Sequence, residues 1–159
     1  MMIIRFPEIT VEITNSVMRA LSVYEQKSGC YEAGGILLGK YIPEEEYYLI
    51  TEITEPTSYD QFGPLYFIRN CQSAQNTIEK GWEDSRGIVN YLGEWHTHPF
   101  KNTIPSTTDR KLLVQVATDR SNVWRYIFMI ILGINKTFYL GVADCKHEGK
   151  IIRETVRRY

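Results

Sequence analysis

The sequence predicts a mixed α/β fold, a mixed central sheet flanked by helices, in a single domain spanning 1–159. Three observations carry this. The chain has 159 residues, enough for one core but little for two. Two-residue alternation and helical spacing follow one another along its whole length, so strands and helices are interspersed. No Pro/Gly/Ser-rich linker, internal repeat or low-complexity stretch divides it.

Taken in order, Val11–Ile13 reads as a short strand. Asn15 or Ser16 can cap a helix carrying Val17, Met18, Leu21 and Tyr24, with Gly29 as its end. Gly34–Tyr41 is a mostly apolar strand, Pro43–Glu46 a charged turn, and Tyr47–Glu55 the returning strand of a hairpin. Tyr59–Pro64 reads as a loop and Leu65–Ile68 as a short strand. Cys71–Asp84 carries Ala74, Ile78 and Trp82 at four-residue spacing, which suits a helix. Ile88–His98 is a strand, Pro99–Pro105 a loop, and Ser106–Thr118 a helix with Leu112, Leu113 and Val116 facing inward. Tyr126–Leu132, Thr137–Ala143 and Lys150–Val156 are the closing strands.

Composition excludes several classes. A hydrophobic share of 43% and a charged share of 23% are ordinary globular values, so general disorder is excluded. Eighteen Lys+Arg against nineteen Asp+Glu leave a net charge of −1. The bulk charge therefore gives no reason to expect a nucleic acid partner. Cys30, Cys71 and Cys145 lie far apart, which argues against a disulfide framework or a thiol zinc knuckle. Met1–Pro7 is too short and too interrupted by Arg5 for a signal peptide, and no apolar run reaches membrane-spanning length. A soluble, cytoplasmic protein that binds no membrane is the expectation.

The chemistry lies around His96 and His98. Strand parity puts both rings on one face, which makes half of a metal site or a pair of solvent-facing histidines. Asp109 falls in the first turn of the next helix, where its carboxylate can face back over the strand end. Two imidazoles, one carboxylate and one open position describe a catalytic rather than a structural zinc site. Ser106 and Asp109 also form a capping pair by spacing. A zinc hydrolase needs a group to carry the proton, and Glu32, at the mouth of the buried strand Gly34–Tyr41, is the candidate. The alternative for Glu32 is an exposed loop carboxylate.

Glu32-Ala-Gly-Gly-Ile-Leu-Leu-Gly39, His96-Thr97-His98-Pro99 and Ser106-x-x-Asp109 together resemble the signature of the JAMM (MPN+) zinc metalloproteases. The resemblance covers nearly the whole chain and implies the JAMM/MPN fold. It implies one catalytic Zn2+ held by His96, His98 and Asp109, with Glu32 as general base and then general acid. It implies Ser106 as hydrogen-bond donor to the oxyanion. The implied reaction is hydrolysis of an isopeptide or peptide bond after the C-terminus of a ubiquitin-like or similarly conjugated protein. Size and the segment Gly93–Pro99 resemble small bacterial members of conjugation-like operons. The branch favoured is the deconjugating peptidase of CBASS anti-phage operons, whose partner is the tail of a CD-NTase (cGAS-like synthase) joined to a target. The alternatives are a peptidase trimming a ubiquitin-like or sulfur-carrier precursor, and a non-catalytic MPN scaffold.

Several neighbours carry further expectations. Glu94 shares the face of the histidines and is a candidate hydrogen-bond acceptor for a ligand ring or a contact to a basic substrate residue. The plainer reading is a solvent-facing acid. Phe100 and Lys101, with Asn102 and Thr103, should flank the cleft. Trp95 and Thr97, on the opposite face, read as packing; many JAMM relatives have Ser in place of Thr97. The Tyr59–Pro64 loop either covers a substrate tail or turns the chain. His147 reads as exposed, Glu44–Glu46 as a solvated hairpin tip, and Arg153, Arg157 and Arg158 as a solvated face or partner contact.

Overall fold

A computed structural model describes residues 1–24, 31–99 and 102–159. Ten strands and three α-helices occur among them. In chain order they are β1 (Met2–Arg5), β2 (Thr10–Ile13), α1 (Asn15–Val23), β3 (Gly34–Ile42), β4 (Tyr47–Ile53), β5 (Gln61–Gly63) and β6 (Tyr66–Ile68). Then follow α2 (Cys71–Asp84), β7 (Asn90–Thr97), α3 (Thr107–Ala117), β8 (Tyr126–Leu132), β9 (Thr137–Asp144) and β10 (Lys150–Arg158). Eight strands form one mixed sheet in the order β1-β2-β4-β3-β7-β8-β9-β10, with β5 and β6 as a separate hairpin. The pairs β2·β4 and β7·β8 are parallel and the rest antiparallel.

The predicted architecture of a mixed sheet flanked by helices is the one observed. Strand β8 shows why the core forms. Tyr126, Phe128, Ile130 and Leu132 face one side, packed with Val17 and Leu21 of α1. Ile127, Met129 and Ile131 face the other, against Leu113 and Ala117 of α3. A strand buried on both faces reads as an unbroken apolar run, and both layers of the molecule are built upon it. Helix α2 covers Ile36 and Leu38 of β3 through Ala74 and Ile78. No helix among the described residues is long and apolar enough to cross a membrane.

One strand goes beyond the sequence reading, and three local expectations are corrected. Met2–Arg5 is a strand: it pairs with β2, Met2 opposite Ile13, and four residues suffice for an edge strand supported by a neighbour. The cap of α1 is Thr14, not Asn15 or Ser16, because the Thr14 backbone is still extended and its side chain accepts from the Val17 amide. Gly29 and Cys30 lie outside the described residues. Part of the Tyr59–Pro64 loop is strand β5, paired with β6. Leu112 is 36% exposed: α3 rests on Leu113 and Ala117, and Leu112 lies one residue, about 100°, round the helix. Trp82, at the far end of α2, is likewise mostly outside the core at 41% exposure. His147 is exposed as expected, with Nδ1 2.8 Å from the buried Asp144 carboxylate.

A bulge in β7 decides what faces the site. Leu37 pairs with Gly93, but Leu38 pairs with Tyr91, so Leu92 is an extra residue. The parity of the strand therefore reverses there. Leu92 joins Trp95 in the core beneath α1, whereas Tyr91 comes onto the face of Glu94 and His96. Gly93 makes this possible with φ of +140°; a Cβ there would stand 1.8 Å from the Phe128 carbonyl oxygen. Gly93→Ala is expected to cost about 3 kcal/mol or more, since strain and a backbone clash add. Thermal denaturation should show a midpoint lower by roughly 10 °C; an unchanged midpoint would mean that the bulge tolerates a side chain.

Candidate functional site

The site begins with the β3–β7 register. Gly34 lies opposite His96, so the residues just before β3 reach the end of β7 that carries the histidines. Gly34 must be small: a Cβ there would meet the Phe67 ring at 2.6 Å and the Trp95 carbonyl at 2.7 Å. Without it, the β5–β6 hairpin packs directly over the entrance to β3. The Glu32 amide donates to the Gly63 carbonyl at 3.0 Å, which ties the same entrance to that hairpin.

His98 extends β7 by one more ladder bond, its amide donating to the Leu132 carbonyl at 2.7 Å. The two imidazoles share a face, as parity requires, and their Nε2 atoms are 3.3 Å apart. His98 Nδ1 lies 3.2 Å from the Asn102 carbonyl. A carbonyl only accepts, so in the neutral ring Nδ1 carries the proton and Nε2 turns a lone pair inward.

Asp109 completes the cluster from α3. Its Oδ1 is 3.1 Å from His96 Nε2 and its Oδ2 is 3.4 Å from His98 Nε2. The capping pair is also present: Ser106 Oγ accepts the Asp109 amide at 3.1 Å, and the Ser106 amide donates to Asp109 Oδ2 at 2.6 Å. One carboxylate thus anchors the helix and faces both rings. Burial works to raise the Asp109 carboxyl, but hydrogen bonds from His96, His98 and Ser106 outweigh it and hold it well below the ordinary range. At neutral pH it is an anion. Burial lowers the His98 imidazole, and the Asp109 carboxylate, the Asn102 carbonyl and the nearby Glu32 charge together raise it above its usual value.

Ligand atoms of His96, His98 and Asp109 all lie within 4.8 Å of one another. Two imidazole nitrogens and one carboxylate oxygen, with no thiol, are a donor set suited to zinc. The three crowd round one point, so the residues present fit a divalent cation.

The cluster opens into a groove of about 870 Å³. Glu32, Glu94, Ser106 and Leu112 line it along with the three donors. One wall is the β5–β6 hairpin, where Leu65, Tyr66 and Ile68 are exposed; Ile104 and Leu112 stand on the other side. The structure thus brings together five of the predicted residues: Glu32, His96, His98, Ser106 and Asp109. Phe100 and Lys101 lie outside the described residues.

Glu94 departs from both expectations. It is 6% exposed, not solvent-facing. Its carboxylate is engaged by Arg69 Nε, at 2.9 and 3.0 Å, by Arg69 Nη2 at 2.9 Å and by the Tyr91 hydroxyl at 2.6 Å. The bulge explains this, because it turns Tyr91 onto the Glu94 face. Arg69 meets Glu94 across 25 residues, and no local sequence pattern marks it. Burial pushes the Glu94 carboxyl up, against the opposing pull of Arg69 and Tyr91.

With the geometry established, the chain's relatives can be placed. Residues 14–141 match the prokaryotic homologues of the JAB domain. The chain belongs to that family. It is 32% identical, over 129 residues, to a Pseudomonas aeruginosa protein named CD-NTase/cGAS isopeptidase, covering 81% of this chain and 78% of that protein. A Vibrio cholerae protein of the same name is 31% identical over 137 residues, 86% of this chain and 83% of that one. A solution structure of a protein from Desulfitobacterium hafniense shares the fold, with a TM-score of 0.61 at 15% identity over 93% of this chain and 90% of that chain.

Removing Arg69 alone would leave Glu94 buried without its counter-charge. Arg69→Met is therefore expected to cost about 3 kcal/mol at pH 7. A carboxyl whose folded-state pKa is raised favours the fold while protonated and loses that contribution as pH rises through its folded value. The Arg69→Met defect should then shrink in acid, and adding Glu94→Gln should remove most of it. Urea denaturation of wild type and the two variants at pH 5 and pH 7 checks this; an equal defect at both values would count against a charge origin.

Proposed function

We propose that this chain is a zinc-dependent isopeptidase that removes a conjugated CD-NTase (cGAS-like synthase) from its targets, as part of CBASS anti-phage defence. The observation that carries the chemistry is the convergence of His96, His98 and Asp109 on one point of a groove that Glu32 also lines. The names of the relatives in Pseudomonas aeruginosa and Vibrio cholerae support the substrate class.

His96, His98 and Asp109 hold the ion. Bound there, zinc supplies Lewis acidity, which polarises a carbonyl and acidifies water. The chain supplies the rest. The Glu32 carboxylate takes a proton from the attacking water and delivers it to the nitrogen of the leaving amine. The Ser106 hydroxyl, held beside Asp109 at the start of α3, donates to the oxygen of the scissile carbonyl as that oxygen gains charge. The groove walls at Leu65, Tyr66, Ile68, Ile104 and Leu112 offer apolar surface to an extended tail. A net charge of −1 leaves selection to groove shape rather than to a long-range field.

The test is cleavage of a CD-NTase–target fusion, with metal content measured on the same preparation. Wild type should carry about one zinc per chain and cleave, lose activity to a chelator and regain it with zinc. Glu32→Gln should keep its zinc and lose at least about 100-fold in kcat. His98→Ala should lose metal and activity together. Undiminished cleavage by Glu32→Gln would remove Glu32 from the proton path, and cleavage by chelator-stripped protein would overturn the metal-dependent reading.

A further inference from the structure

Two threonine hydroxyls do the same work along β3. In a regular hydrogen-bonded antiparallel pair, the two residues exchange both backbone N–H···O=C bonds. At Ile36 the Thr54 amide donates to the Ile36 carbonyl at 3.1 Å, but the Ile36 amide donates to Thr54 Oγ1 at 2.9 Å. At Ala33 the same substitution recurs. The Thr97 amide donates to the Ala33 carbonyl at 2.9 Å, and the Ala33 amide donates to Thr97 Oγ1 at 2.8 Å. A side chain has replaced the backbone acceptor at both positions, and the two strand amides stay paired.

Ala33 directly follows Glu32. The Glu32 amide, which by strand alternation faces the edge away from β7, reaches the Gly63 carbonyl of β5. The segment entering β3 is therefore held on both edges, by the hairpin at Glu32 and by the Thr97 hydroxyl at Ala33 on the β7 side. Thr97 is fully buried and stands between the two histidines on the opposite face of the strand, so it does not border the groove.

We propose that Thr97 is a positioning residue for Glu32. Its hydroxyl fixes the Ala33 amide, and through that amide it sets where the Glu32 carboxylate stands relative to His96 and His98. One residue thereby links the strand carrying two metal donors to the segment carrying the proton carrier. The inference rests on the reading of Glu32 as that carrier. A displacement of about 1 Å in such a group is enough to cost on the order of 100-fold in rate. The packing role expected for Thr97 from sequence is then only part of its work.

The test uses zinc-loaded full-length protein and compares Thr97→Ser, which keeps the hydroxyl, with Thr97→Val, which keeps the shape and loses it. Three quantities are read: zinc content, exchange of the Ala33 amide with solvent deuterium, and kcat and KM on the CD-NTase–target fusion. Thr97→Val should keep its zinc and its KM, lose about 10- to 100-fold in kcat, and exchange the Ala33 amide at least about 10-fold faster. Thr97→Ser should stay within about threefold of wild type in all three. If Thr97→Val does not fold, Thr97→Ala removes the hydroxyl without a second methyl and is read in the same way. Wild-type kcat in Thr97→Val, loss of zinc in step with activity, or a Thr97→Ser variant as impaired as Thr97→Val would each overturn the proposal. Should wild type itself cleave no fusion, the isopeptidase reading fails, and amide exchange alone decides on the tether: faster exchange in Thr97→Val supports it and unchanged exchange refutes it.

Discussion

The pairing of β3 with β7 is the constraint on which the rest of the site depends. Gly34 opposite His96 fixes how far Glu32 stands from the two imidazoles. A slip of one residue would turn every side chain of β7 to the other face, sending both imidazoles into the core beneath α1. Two features prevent that slip. The Leu92–Gly93 bulge pins the register from one end, and the bonds exchanged by Ala33 and Thr97 close it at the other. The parallel bond from His98 to Leu132 then carries the site onto β8, the best-buried strand in the molecule.

Asp109 shows how stability and chemistry share one group. Its carboxylate closes the N-terminus of α3 and faces two imidazoles. An acid at a helix N-terminus is favourable in itself, so this side chain is ordered before any cation arrives. That preorganisation keeps the three donors together and reduces the rearrangement that metal binding requires. The competing readings of Ser106 and Asp109, a cap or a reactive pair, are therefore compatible: the same bonds that cap the helix aim the carboxylate at the rings.

Beside the donors lies a second charged group with a different logic. The half-buried Arg69 and Tyr91 hold the buried Glu94 carboxylate beside the groove. Because Arg69 and Tyr91 spend their donors on it, Glu94 is not a loose carboxylate competing with Asp109 for a cation. The walls are apolar and the Arg69–Glu94 pair is charge-balanced, so the groove offers a substrate shape and a few directed polar groups rather than a net field.

The sequence by itself determined the mixed sheet, most of its elements, and the convergence of His96, His98 and Asp109. These depend on local patterns: strand parity puts His96 and His98 on one face, and a capping spacing puts Asp109 in the first turn of a helix. Four features were not legible. Strand β1 is too short to declare itself without its partner β2. The bulge that brings Tyr91 to Glu94 exists only through pairing with β3, and Arg69 reaches Glu94 only after the hairpin has folded back. The face of Leu112 was settled by how α3 leans on β8 and β9. Local periodicity records which side of an element is apolar, whereas register, bulges and ion pairs between distant segments are energies of pairing, and these exist only in the assembled sheet.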